Sequence, residues 1–196
     1  KYEYVTFHTI SQSFAMEDKM KYFIPMIILS LVLLSCAKEE VETDTTMSTP
    51  FVSDGTYKLT AAIQKVYYSN GTLYGSYTYS ISHDSSVTPG YLALDMEWKG
   101  SGVYRITSKG KATLSVTGVD DVTIDCTSNA IDELTFDTDG NMTKKTVIQT
   151  GCGGSSSSLT EVSQKFTVVS GGFQVYIVLK DSDSNQFQIT YTFQKQ

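Results

Sequence analysis

Few side chains in this 196-residue sequence carry chemistry beyond hydrogen bonding, and each sits in a pattern that limits what it can do. His83 lies in Ser82-His83-Asp84-Ser85-Ser86. A histidine beside serine and aspartate suits general acid–base work, but a Ser-His-Asp relay needs its serine presented on a strained turn. No Gly-x-Ser-x-Gly elbow occurs, so a polar turn with an exposed histidine is the simpler expectation. Asp95 and Glu97 stand at i, i+2 on one strand face, a spacing an acid/base pair could use. A solvated strand face explains them equally, and Trp98, the single tryptophan, offers little of an aromatic sugar cleft. Asp137-x-Asp139-x-Asn141 and Asp181-x-Asp183-x-Asn185 place oxygen ligands at alternate positions, as calcium loops do. Neither is followed by the glutamate that completes an EF-hand loop, and hairpin turns prefer the same residues for backbone reasons. The three cysteines, Cys36, Cys126 and Cys152, form no Cys-x-x-Cys pair and, with so little histidine, no zinc ligand set. Neither a metal nor a cofactor is expected, and the chain reads as non-enzymatic.

Aromatic residues are the remaining functional material. Ten of the 13 tyrosines lie beyond residue 36, with Tyr67, Tyr68, Tyr74, Tyr77 and Tyr79 close together. On alternating strands such residues form cross-strand pairs. The sharper expectation is a barrel interior or mouth in which Tyr57, Tyr77, Trp98, Tyr104, Phe136 and Tyr191 grip a small apolar or glycan ligand.

The elements that must position these residues show a period of two. Phe187, Ile189, Tyr191 and Phe193 alternate with Gln188, Thr190, Thr192 and Gln194, a strand with one wet face. Phe173, Val175, Ile177 and Leu179 repeat the pattern, and the intervening Asp181-Ser182-Asp183-Ser184-Asn185 is all turn residues, which predicts a hairpin. A second hairpin is expected around Asp139-Gly140, from Leu134 and Phe136 into residues 142–150. Further strands are expected at residues 57–68, 73–81, 91–98, 103–107, 112–116, 122–126 and 161–169. No window of helical length carries an apolar stripe with caps. About ten short strands joined by Gly, Ser, Asn and Asp turns imply an all-β domain, either an antiparallel up-and-down barrel or a two-layer β-sandwich. Short hairpins between consecutive strands, and the removal of exposed edges by closure, favour the barrel.

The N-terminal third decides where that domain works. Lys21, the apolar run of residues 22–34 and the small Ser35 form an export signal too short for a spanning helix. Leu33-Leu34-Ser35-Cys36 resembles the bacterial lipoprotein box, which implies a lipidated Cys36. The following Ala37-Lys38-Glu39-Glu40 resembles the surface-export signal of Bacteroidota lipoproteins, implying an outer-membrane anchor facing the cell exterior. Residues 1–19 read as upstream sequence before a start at Met20 or Met16, residues 20–35 as signal peptide, and residues 36–54 as an acidic, Thr-rich tether. Residues 55–196 form the domain. Asp44-Thr45-Thr46 resembles the Asp-Thr-X sequence O-glycosylated in exported Bacteroidota proteins, which marks Thr45. With Cys36 taken by lipid, Cys126 and Cys152 are left as an even pair in an oxidising compartment, where a structural disulfide is the default.

A net charge of −6 without a Lys/Arg cluster argues against nucleic acid as a partner. Gly55-Thr56-Tyr57-Lys58-Leu59-Thr60 resembles the Gly-Thr-Trp-Lys-Leu opening strand of Bacteroidota lipocalin-like lipoproteins. Cys126, Leu134-Thr135-Phe136, Asp139-Gly140 and Cys152 are similar to that family's cysteine-bracketed hairpin. The resemblance implies a small antiparallel barrel with an apolar interior, in a family whose members mostly lack a defined ligand. The expected function is a surface-anchored binding or accessory module for a small apolar or glycan ligand, held at the membrane by its lipid. The alternative is a β-sandwich adhesion or structural module. A hydrolase would have to rest on His83 or Asp95.

Overall fold

The computed structural model describes residues 48–153 and 159–196. Residues 1–35, Cys36 and Thr45 lie outside the described residues. Among the described residues, nine antiparallel strands make up the domain: β1 Gly55–Tyr67, β2 Leu73–His83, β3 Ala93–Gly100, β4 Val103–Val116, β5 Val119–Phe136, β6 Met142–Gln149, β7 Thr160–Val169, β8 Gly172–Lys180 and β9 Gln186–Lys195. All nine belong to one sheet, in the order β6-β5-β4-β2-β1-β9-β8-β7, with β3 paired to β1 and β4.

Strands β2 and β3 occupy one ribbon. Along β1 the partners run from Met96 opposite Gly55 to Ala93 opposite Lys58, then resume at Tyr79 opposite Ala62. On the other side, β4 pairs Ala93 with Lys109 and His83 with Ala112. Residues 84–92 therefore leave the sheet and return to it in mid-strand. The excursion is stitched at both feet, by Leu59 N–H to Leu92 O (3.0 Å) and Asp84 N–H to Lys111 O (3.2 Å). Gly110 makes room for it: its φ is +83°, and a Cβ there would sit 1.9 Å from the Tyr91 carbonyl oxygen.

Two pairs of expected short strands fuse. Residues 103–107 and 112–116 are both β4, because Gly110 makes a bulge rather than a turn, with the pairing shifting between Ser108 and Gly110. Residues 122–126 and 134–136 are both β5. There the exposed residues 127–129 are absorbed as extra length, with Asn129 at φ +54°. The expected count of about ten short strands therefore becomes nine among the described residues, with β4 and β5 each formed from two expected strands.

Alternation sets the core. The inward sides of β1, β4, β5, β8 and β9 deliver Leu59, Tyr104, Leu114, Phe136, Phe173, Val175, Ile177, Leu179 and Phe193, each with essentially no exposed surface. Burial of such a side chain stabilises the fold by about 1.5–3 kcal/mol. The sheet's two edge strands come together at one point, where Asn141 bridges Lys165 and Phe166 N–H donates to Gly140 O (2.8 Å). The packed region begins earlier than residue 55: Val52 is buried and Phe51 packs on the core, so the end of the segment assigned to the tether belongs to the domain. The reason is apolar content, since Phe51-Val52 is the first pair after residue 48 with enough surface to offset its ordering. A disulfide joins Cys126 and Cys152, and Gly153 N–H donates to Asp125 O (2.7 Å), so the chain leaving β6 lies back against β5.

Candidate functional site

Three places hold the residues that could carry function. The first is the end of the sheet crossed by residues 51–54. Phe51 inserts among Tyr104, Phe136 and Phe166, with ring centroids 4.8, 5.4 and 5.9 Å away. The Tyr104 hydroxyl clamps Val52, donating to its carbonyl (3.0 Å) and accepting from its N–H (3.2 Å). Tyr57 donates to Ser53 O (2.7 Å), and Lys195 Nζ donates to Ser53 Oγ (2.6 Å) and Asp54 O (3.1 Å). Above this crossing lies an open groove of about 250 Å³ with Phe51, Tyr57, Val168, Val169 and Lys195 among its walls.

Of the six aromatic residues expected to grip a ligand, four converge here. Tyr57 stacks edge-on against Phe173 (5.0 Å), Trp98 against Tyr104 (4.9 Å), and Tyr104 faces Phe136 across 6.1 Å. Tyr57, Tyr104 and Phe136 are buried, so their rings serve mainly as core, each edge-to-face pair contributing about 0.5–1.5 kcal/mol beyond its area. Tyr191 is buried elsewhere, and Tyr77 packs half-buried near Tyr79. Burial pushes the Tyr191 and Tyr79 phenols well above their ordinary range, and the Tyr79 hydroxyl donates to Gln64 Oε1 inside the sheet. Both therefore stay protonated and serve as core residues, Tyr79 with its hydroxyl hydrogen-bonded to Gln64.

The second place holds the residues considered for catalysis, and the structure does not join them. His83 Nδ1 accepts from Leu92 N–H (3.4 Å) at the foot of the excursion. Partial burial, and secondarily the charge of Lys58, lowers its pKa. Asp84 turns away, accepting from Ser86 N–H (2.9 Å) and Ser86 Oγ (2.5 Å), with Lys111 3.6 Å away. Asp95 accepts from Thr56 Oγ1 (2.6 Å) and pairs with Lys109 (2.5 Å), whereas Glu97 pairs with Lys99 (2.6 Å). The two carboxylates thus hold separate cations on a solvent-facing surface. In both Asp-x-Asp-x-Asn loops the first aspartate is spent on its own turn. Asp137 Oδ1 accepts from the N–H groups of Asp139 (2.9 Å) and Asn141 (2.8 Å), and Asp137 Oδ2 from Asn141 Nδ2 (2.8 Å). Asp181 repeats these bonds with Asp183 and Asn185. Among the described residues, no three His, Cys, Asp or Glu side chains gather closely enough to hold a metal ion.

The third place is not singled out by reading the sequence. Asp132 on β5 and Lys145 on β6 bury their side chains to 6% and 7% exposure, with Lys145 Nζ 3.5 Å from Asp132 Oδ2. Glu161 on β7 is close enough that it and Lys145 each shift the other's titration. Burial dominates all three, raising both carboxyls and lowering the amine, with the opposite charges pulling back. A usable signal was present: Asp132 shares the parity of Ala130, Leu134 and Phe136, so β5 carries a charge on its apolar side. Glu161 is turned inward by a bulge between Glu161 and Ser163, which leaves Val162 exposed.

No family model, curated protein or solved structure matches this chain.

Proposed function

We propose that this protein is a non-enzymatic, surface-anchored accessory module, tethered to the outer membrane through a lipid on Cys36. In this reading the meander β1 to β9 closes as an up-and-down, lipocalin-like barrel. The β1–β9 pairing on one side and the Asn141–Lys165 contact on the other support closure. A small apolar or glycan ligand is taken at the open end rather than in the middle. The observation that carries this is the contrast between the groove beside Phe51, Tyr57, Val168 and Lys195 and an interior filled by Leu59, Tyr104, Phe136, Phe173 and Phe193. Val168 is 54% exposed at the groove rim, an apolar contact for a ligand, and Lys195 supplies a cation and hydrogen-bond donors.

The same filled interior favours a second reading, an adhesion or structural module that acts through its outer faces. Dye and glycan binding to the folded protein separates the two. The groove reading expects retention that falls severalfold in Val168→Asp with unchanged circular dichroism. Absence of any retention, in wild type as in the variant, would transfer the function to the adhesion reading. Anchoring is tested separately: Cys36→Ser should move the protein from the membrane fraction to the soluble one.

A further inference from the structure

Asp132, Lys145 and Glu161 are costly to bury and take no part in the groove. An ion pair held in the interior is a poor source of stability, because desolvation offsets most of its attraction. This pair is also imperfect: the separation is 3.5 Å, and Asp132 Oδ1 has no hydrogen-bond partner among the described residues. An orphaned buried oxygen calls for an explanation. The arrangement has the parts of an amide-forming site. Lys145 lies opposite Leu134 in the β5–β6 register, so its side chain projects from the same face as Asp132, diagonally across the ladder. The acceptor carboxyl faces the amine in a water-poor space between buried Ala130 and Leu134, and a second carboxyl from a third strand is electrostatically coupled to the amine.

We propose that Lys145 and Asp132 condense into an intramolecular amide that cross-links β6 to β5, with Glu161 as the proton shuttle. The uncharged Lys145 amine donates its lone pair to Asp132 Cγ, forming the C–N bond. Glu161, in its protonated form, gives its proton to the Asp132 oxygen that will leave and takes one from the attacking nitrogen. Collapse of the tetrahedral intermediate breaks the C–O bond and releases one water, and Glu161 ends as it began. Electrons and atoms balance without an oxidant, reductant or external reagent. Burial favours the neutral amine and the neutral carboxyls that this step requires, in the direction each group is shifted.

Intact-mass spectrometry of the full chain from its exporting host, with and without reduction, tests this. The expected mass is one water below that of the sequence after processing, beyond the two hydrogens lost to the disulfide. Proteolysis should yield a branched peptide joining the segments around Asp132 and Lys145. Glu161→Gln should fold, by circular dichroism, yet keep the water and give only linear peptides. Lys145→Met, which retains the apolar stem, should do the same. Asp132→Asn should still cross-link, losing ammonia instead of water. A wild-type mass with no missing water, or a branched peptide that persists in Glu161→Gln, would overturn the proposal.

Discussion

His83 illustrates how a residue with catalytic potential is held to a structural task. Its Nδ1 accepts from Leu92 N–H, which requires the ring nitrogen to be unprotonated, and burial with Lys58 nearby lowers its pKa from 6.5. A lowered folded pKa means that the contribution is present above the ordinary value and is lost as pH falls through the folded one. Unfolding midpoints should therefore decline on acidification below 6.5, and His83→Gln should flatten that part of the profile. A carbon-detected titration of the imidazole, midpoint below 6.5, checks the cause directly. Phe136 is a residue-scale case of the opposite kind, chosen by sequence as a ligand contact and placed with no exposed surface among Phe51, Tyr104 and Phe166. Phe136→Ala should cost about 3–5 kcal/mol by chemical denaturation, as expected for a fully buried aromatic side chain.

At the scale of elements, the excursion of residues 84–92 depends on one backbone position. Gly110 combines φ +83° with a carbonyl 1.9 Å from where a Cβ would stand. Gly110→Ala must therefore move the excursion, and a loss of at least about 2 kcal/mol is expected, with faster amide exchange in β3 and at Leu92 than in β8. Strand existence was legible throughout the domain, because half-buried strands write their period into the sequence, as β8 and β9 do over their whole lengths. Strand ends were less legible. Gly110 and residues 127–129 carry turn-like composition, and only pairing with a continuous neighbour lets the ladder run through them as bulges. The two Asp-x-Asp-x-Asn loops were readable as hairpins for the same local reason that makes them turns: the first carboxylate satisfies the loop's own N–H groups.

For the whole molecule, the disulfide matters through what it pins. Cys126 and Cys152 are 26 residues apart, and the bridge holds the start of the β6–β7 connection to β5. A loop of that size stabilises by roughly 3–4 kcal/mol through the unfolded state. The double variant Cys126→Ser/Cys152→Ser should lose about that much in urea, with the increase in hydrogen exchange concentrated in β5, β6 and β7. The aromatic assembly at the other end joins distant segments in the same way, with Phe51 seated on rings from β4, β5 and β7. Phe51→Ala should release residues 51–54 from the end of the sheet, seen as cleavage in limited proteolysis at rates severalfold above wild type.

The sequence alone determined the all-β class, the placement of most strands, the Cys126–Cys152 pair and the turn loops. Each depends on neighbours a few residues away or on simple counting. Only the tertiary structure decided that Phe51 and Val52 belong to the core, that β2 and β3 share one ribbon, and that Asp132 and Lys145 pair within it, with the charge of Glu161 coupled to Lys145. These facts depend on which face of which strand is enclosed, and on bulges that reverse facing, as between Glu161 and Ser163. A one-residue shift in register moves a side chain from water to core, and that shift is fixed by partners far away in the chain.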